Sequence, residues 1–388
     1  MRVLLGFHGM VTRSNHRLAE ELARYPGLEL TVAAPDWWPE ESRSVHQEVR
    51  QGRGYRLVVL PTLHGRSPMP NLFLYRAGLG RVLRTCRPDL IDLYEEPFSL
   101  AAAQMLLLRA AFAPKSKLIF YSAQNILKRY PLPFSMVEQW SFRTAAHAHV
   151  CNSEAGRVLQ KKGYRGRVRL IPLGVDHQLF RPAPDKVAAE AALGLHGAVI
   201  GYLGRLHLEK GVRDLLEAFA TLRRPSTLLL LVGNGPHRAV LEERARALGI
   251  AEQVTFVGAV NRLAVPTYLQ AMDCLVVPSR TTPTWKEQFG RIIVEAFFAE
   301  VPVIGSSCGS IPEIVGADGC VYPEGDVPKL AAAIKAVLAD PGAALQRAKR
   351  ARARAMQQYT WPAVAGRRYA LYREILSGGD RRVALDDC

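Results

Sequence analysis

Short apolar runs alternate with amphipathic stretches along nearly the whole chain. Arg2–Gly6 reads as a buried strand, followed by a helix over 14–25. Residues 28–33, Arg56–Leu60, Leu90–Leu93, 117–121 and 149–151 read as further strands, with helical patterns at 72–85 and 100–111. Strands and helices in alternation predict βαβ units on a parallel sheet. The rhythm breaks where Pro172, Gly174, Pro182 and Pro184 crowd together, a composition that marks an interdomain linker. It then restarts. Ala198–Leu203, Thr227–Val232, 253–257, 274–278 and 301–305 are strand-like, and Val212–Leu222, 238–248, 291–299 and 327–340 are helical. The pattern predicts an α/β protein of two doubly wound, Rossmann-like domains, 1–175 and 176–360. A last helical stretch and tail at 361–388 lie beyond the second pattern and are expected to cross back to the first domain. Sheets of this kind bind ligands outside the carboxyl ends of their strands, so two domains facing one another imply a cleft.

Composition narrows the class. With 388 residues, 48% hydrophobic and 22% charged, the chain falls among ordinary globular proteins and not among disordered or collagen-like ones. The stretch 100–113 is apolar except for Gln104 and Arg109, but it is too short to cross a bilayer. The opening MRVLLGFHGM lacks the longer apolar region of a signal peptide. Six cysteines are scattered without a CxxC pair, so neither a zinc site nor a disulfide framework is indicated, and a reducing cytoplasm is the expected location.

Charge adds a question. The net charge is +16, and residues 1–180 hold 25 basic against 14 acidic side chains. Such an excess favours an anionic partner: nucleic acid, an anionic membrane surface or a phosphorylated ligand. The chain carries no recognised nucleic-acid module and no dense basic run interleaved with aromatics, which sets nucleic acid aside. The densest basic run is 161–169, and with 100–113 it motivates peripheral contact with an anionic membrane.

The richest chemistry lies at 279–299. A strand ends near Pro278, a polar loop follows, and Gly290 opens a helix in which every residue from Ile292 to Ala299 except Glu295 is apolar. A buried carboxylate is costly without hydrogen-bond donors, and sugar or ribose hydroxyls are suitable ones, as is a buried Arg or Lys. The N–H groups at Gly290, Arg291 and Ile292 form a seat for phosphate, with Phe289 and Glu287 just before it. Arg205 and Lys210 follow the first strand of the second domain, where two cations can clamp a diphosphate. Gly233, in Val-Gly-Asn-Gly-Pro, permits close backbone approach after the next strand, as does Gly9 after the first strand of the chain. There is no Asp-x-Asp triplet and no His, Cys and carboxylate set with metal spacing. No metal and no resident cofactor are therefore expected, and a bound diphosphate is neutralised by side chains and helix ends.

These motifs resemble those of retaining GT-B glycosyltransferases of family 4. The resemblance rests on Glu287-x7-Glu295, on Gly204-Arg205 with Lys210-Gly211, on Gly309-Ser-Ile-Pro-Glu, and on the Ile171-Pro-Leu-Gly-Val-Asp linker with Phe180. It covers nearly the whole second domain, with Val257-Gly as a further nucleotide-side loop. It implies a nucleoside-diphosphate sugar as donor, with Arg205 and Lys210 on the diphosphate, Glu295 on the ribose and Glu287 on the sugar. It also implies retention of anomeric configuration, with the leaving phosphate helping to deprotonate an acceptor hydroxyl on a small molecule, glycan or lipid-linked sugar. One departure stands out. Where many relatives place a His after the strand 117–121, this chain has Gln124 and Asn125, which can hydrogen-bond a sugar but cannot act as a base. His8, His16 and His147 are the histidines that could contribute from elsewhere in the first domain. A nucleotide-sugar epimerase or hydrolase is the alternative that shares this architecture.

Overall fold

The computed structural model describes residues 1–39, 44–64 and 72–378. The tail expected beyond the last helix falls, from 379 onward, outside them. The chain divides into two compact units, Met1–Gly174 with the C-terminal segment from Trp361, and Val175–Thr360.

The first unit contains strands β1 (Arg2–Gly6), β2 (Glu29–Pro35), β3 (Trp37–Pro39), β4 (Ser44–His46), β5 (Arg56–Leu60) and β6 (Thr62–His64). It continues with β7 (Phe73–Tyr75), β8 (Leu90–Leu93), β9 (Lys117–Ser122), β10 (His147–Val150) and β11 (Arg167–Leu170). Seven of them form one sheet in the order β11-β10-β9-β8-β1-β2-β5, every pair parallel. The order reverses direction between β1 and β8, which makes their carboxyl ends the switch point of the sheet. Both faces are buried, so β8 and most of β2 are buried without alternation, Asp92 being the one charge among them. Residues 72–85, read as helical, divide instead into β7 and a helix Leu79–Cys86. The antiparallel ribbon of β6 and β7 takes Phe73–Tyr75, a pairing across sequence that local periodicity does not encode.

The helix Trp361–Leu376 belongs to this unit. Its buried face packs Trp361, Val364, Leu371 and Tyr372 into the same core as Val3, Leu5, Leu18 and Leu30, and Tyr369 stacks on Tyr25 at 4.2 Å. Arg368, fully buried, bonds Asp92 on β8 at 2.8 Å, and Tyr372 donates to the same carboxylate at 2.5 Å. His149 Nε2 reaches the other Asp92 oxygen at 3.2 Å. Burial alone lifts the Asp92 carboxyl, but the guanidinium and its neighbours more than reverse the lift and hold it at about 2. A buried charge is tolerated because its partner is buried with it.

The second unit holds β12 (Ala198–Leu203), β13 (Thr227–Val232), β14 (Val254–Gly258), β15 (Cys274–Val277), β16 (Val303–Ser306) and β17 (Cys320–Tyr322). Its six-stranded parallel sheet has the order β14-β13-β12-β15-β16-β17. The switch point here lies between β12 and β15. Both units are thus doubly wound, and both sheets turn about a central strand pair. Buried Cys151 and Cys274 pack as small apolar groups, and burial pushes each thiol up to about 12.

Candidate active site

In the second unit the loops beyond β12 and β15 are sewn together at the switch point. Arg280 N–H donates to the Glu209 carbonyl at 2.8 Å. Gly211 takes φ +64°, and a Cβ there would fall 1.9 Å from the Pro278 carbonyl oxygen. Only glycine fits so close a backbone crossing. The result brings Lys210 to Glu287: Nζ lies 2.7 Å from Oε2, with both side chains largely buried. Lys210 Nζ also sits 4.4 Å from the Trp285 ring centre, and Ser279 Oγ donates to the same Glu287 oxygen at 3.3 Å.

Glu287 is held from behind as well. Ser310 donates to its carbonyl from both N–H, at 3.0 Å, and hydroxyl, at 3.2 Å. Gly309 crosses the same peptide at φ +55°. This accounts for the Gly-Ser-Ile-Pro-Glu motif: it is the clamp on the Glu287 backbone.

Gly290 then turns the chain at φ +66° into the helix Arg291–Phe298, whose N-terminus carries no side-chain cap. The amides at this end point past β15 with the positive end of the helix dipole. Phe289 is buried against Tyr359. Glu295, one turn in and 4% exposed, receives a hydrogen bond from Arg262 Nη2 at 2.8 Å. An ion pair is therefore seen at Glu295, but its cation is not internal: the Arg262 side chain is 39% exposed. Sequence reading did not single out Arg262, which lies on a short turn just after β14.

The remaining loops converge from β13 and β14. Gly233 N–H donates to the Gly258 carbonyl at 2.8 Å, which places Val257 at the edge of the cluster. A Cβ on Gly233 would meet the Gly204 carbonyl oxygen at 1.8 Å. Arg205 is exposed at the rim, and its backbone carbonyl is pinned by the buried Tyr202 hydroxyl at 2.7 Å. Arg205, Lys210, Glu287, Gly290 and Glu295 are thus assembled around one switch point.

In the first unit the expected residues also make internal contacts. Gln124 accepts a bond from Ile126 N–H at 3.0 Å and donates to Tyr130 Oη at 3.2 Å, so both ends of its amide hold a turn. Asn125 is buried beside it. The Gly9 loop is an unfavourable phosphate seat, because its His8 N–H already donates to a carboxylate, Glu95, at 2.6 Å. His16 is buried between Tyr55 and the Met10 carbonyl, and burial lowers its pKa. His147 stands 3.8 Å from Glu374 on β10, also lowered by burial.

Two further acids, Glu95 and Glu96, stand side by side just after β8, at the same strand end as His8. Glu96 accepts from Ser122 Oγ at 2.7 Å and from Ala123 N–H at 2.8 Å. Burial raises its carboxyl to about 7 against those donors.

The basic run 161–169 is mostly spent internally. Lys162 pairs with Glu138, and Arg167 and Arg169 both reach Glu374. No helix among the described residues is long and apolar enough to cross a membrane.

Two family models match the chain: Glycosyltransferase Family 4 over residues 11–179 and Glycosyl transferases group 1 over residues 188–356. A 2-deoxystreptamine glucosyltransferase of Streptomyces kanamyceticus is 30% identical over 272 residues, 67% of this chain and 69% of that protein. The glycogen synthase of Mycobacterium tuberculosis is 37% identical over 168 residues, 42% of this chain, and the match spans 39% of that protein's length. Among solved structures, HepE of Anabaena in complex with UDP superposes with a TM-score of 0.75 at 20% identity, covering 96% of this chain and 99% of that one. The fold is GT-B.

Proposed function

The chain belongs to glycosyltransferase family 4, and from that premise we propose that it transfers a hexose-type sugar from a nucleoside diphosphate to an acceptor hydroxyl, with retention of configuration. The observation that carries the reading is the Lys210–Glu287 pair beside the uncapped helix end at Gly290. Lys210 and Arg205 take the diphosphate together with the N–H groups of Arg291 and Ile292, and no metal is needed for that neutralisation. Glu287, released from Lys210 as phosphate arrives, accepts hydroxyls of the donor sugar. Glu295 exchanges its bond from Arg262 for the ribose diol. Charge building on the departing diphosphate meets fixed cations and amides that need no reorganisation, commonly a large share of such catalysis. Gln124 is an amide and not a base, and deprotonation of the acceptor by the leaving phosphate requires none. The Streptomyces kanamyceticus relative is a glucosyltransferase, which supports a hexose as the transferred group.

Calorimetry with UDP-, GDP- and ADP-sugars tests the donor class, and absence of binding to all three sinks the reading. Product analysis by NMR then reads the anomeric configuration, and assays run without acceptor separate transfer from epimerisation or hydrolysis.

One surface favours an additional peripheral contact with an anionic membrane. Met136, Trp140 and Arg143 lie along one face of the helix Phe134–Thr144, with Leu127, Arg129 and Leu132 exposed just before it. Exposed apolar side chains with interspersed cations suit a lipid headgroup boundary better than the internally paired run 161–169. Co-sedimentation with anionic vesicles that is unchanged in Leu132→Ser/Met136→Ser removes this surface from consideration. A cytoplasmic enzyme meeting the inner face of the membrane is the location consistent with that contact.

A further inference from the structure

The switch point of the first unit carries a second oriented group. β1 and β8 are paired with Gly6 opposite Leu93, an offset of 87 residues. The same offset continues past both strand ends and sets His8 beside Glu95. Glu95, 3% exposed, accepts the His8 N–H at 2.6 Å with one oxygen and His8 Nδ1 at 2.7 Å with the other. The carboxylate accepts, so Nδ1 is the donor and Nε2 is the ring atom left for a ligand.

The ring is also fixed by packing. Trp38 stacks on it at 4.4 Å, and Phe7 and Phe73 meet it edge-on at 5.3 and 6.2 Å. The His8 side chain remains 26% exposed, and no described residue is hydrogen-bonded to Nε2. A rigid, carboxylate-oriented imidazole at a strand-end switch point is a binding group. Its ligand chemistry follows from the hydrogen bonds. Glu95 already takes the loop N–H that an anion would need, so a phosphate or carboxylate is disfavoured, whereas a hydroxyl can both donate and accept and so pairs with Nε2.

We propose that His8 is the hydroxyl-binding residue of a sugar or polyol site in the first unit, positioned by Glu95 and Trp38. Identifying this ligand with the acceptor rests on the transfer reading given above. The binding itself does not.

The test uses the intact chain and three simple probes, methyl α-D-glucopyranoside, methyl α-D-mannopyranoside and myo-inositol, followed by saturation-transfer NMR and calorimetry. At least one probe is expected to bind, and His8→Ala is expected to weaken it by about tenfold or more, the scale of one lost hydrogen bond in a desolvated site. His8→Gln, which keeps an acceptor atom, recovers part of the loss, and Glu95→Gln shows an intermediate one. Nucleoside-diphosphate binding, measured with UDP, GDP and ADP, stays within about twofold in all three variants if each retains the parent melting temperature. Equal probe binding by parent and His8→Ala, or no probe binding by the parent at millimolar concentration, overturns the proposal. Saccharide binding that depends on His8 in a protein binding none of the three diphosphates upholds this site and overturns the transfer reading instead.

Discussion

Lys210 Nζ and Glu287 Oε2 stand 2.7 Å apart although 77 residues separate them in sequence. The contact exists because Gly211 lets the loop after β12 cross the Pro278 carbonyl. The pair fixes Glu287 beside the uncapped helix end at Gly290 and sets the cation where the proposed function puts the diphosphate.

Lys210→Ala is expected to cut transfer by at least a hundredfold, the range seen when one charge-stabilising group is removed. Glu287→Ala should act mainly on the chemical step and less on diphosphate affinity, since its proposed contact is with the sugar. Steady-state kinetics of both variants and of the double variant check this. Transfer within threefold of the parent in Lys210→Ala contradicts the assignment.

Gly309→Ala forces a Cβ to within 2.2 Å of the Glu287 carbonyl oxygen at a left-handed φ. The expected cost is about 1–3 kcal/mol of stability, with loss of donor binding because the Glu287 loop must move. Thermal melting and calorimetric titration of the same sample read both effects. Normal donor affinity in this variant would show that the clamp is dispensable.

Arg262→Ala leaves the Glu295 carboxylate buried without its cation. A fall in stability of about 1–3 kcal/mol is expected in the free protein. Bound nucleotide should restore more of it than in the parent, because ribose hydroxyls then satisfy Glu295. Melting curves with and without nucleoside diphosphate measure the difference, and an equal ligand-induced shift in both proteins speaks against ribose at Glu295.

The pH dependence of the first unit has two opposed sources. Glu96 is raised in the folded state to about 7, so its contribution is full below about pH 4.5 and is lost as pH climbs through 7. Glu96→Gln should therefore flatten the decline in stability between pH 5 and 8. Asp92 is depressed to about 2, so its contribution is present above about pH 4 and is lost as pH falls through 2. His149 is lowered by burial and by Arg368, and it adds to the acid-side loss from about pH 6.5 downward. Denaturant titrations across pH 3–9 follow all three. A Glu96→Gln variant with an unchanged slope above pH 5 refutes the first of these assignments.

What the sequence displayed was chemistry that is local. Glu295 is visible because it is the one charge between Ile292 and Ala299, and Glu287 because it precedes Gly290 by three residues. Arg205 and Lys210 are visible because they follow a strand whose end the apolar pattern marks. What it hid was pairing across distance. Arg262 finds Glu295 across 33 residues, and Glu95 finds His8 across 87. His8 stood among three undistinguished histidines until the register of β1 with β8 gave it a carboxylate. Residues 73–75 looked helical because the partner that makes them a strand lies in β6. Gln124 was visible as a polar residue after a strand, but not the bonds that its amide makes with Ile126 and Tyr130.

The helix Trp361–Leu376 also fixes an order of events during synthesis. Asp92 lies in the first quarter of the chain, and Arg368, its buried counter-charge, emerges 276 residues later. Until then the nascent first unit holds Asp92 with His149 but without its guanidinium, and lacks part of its apolar core. The second unit, continuous from Val175 to Thr360, has all its parts before that helix leaves the ribosome. The half of the protein that starts first is the half that finishes last.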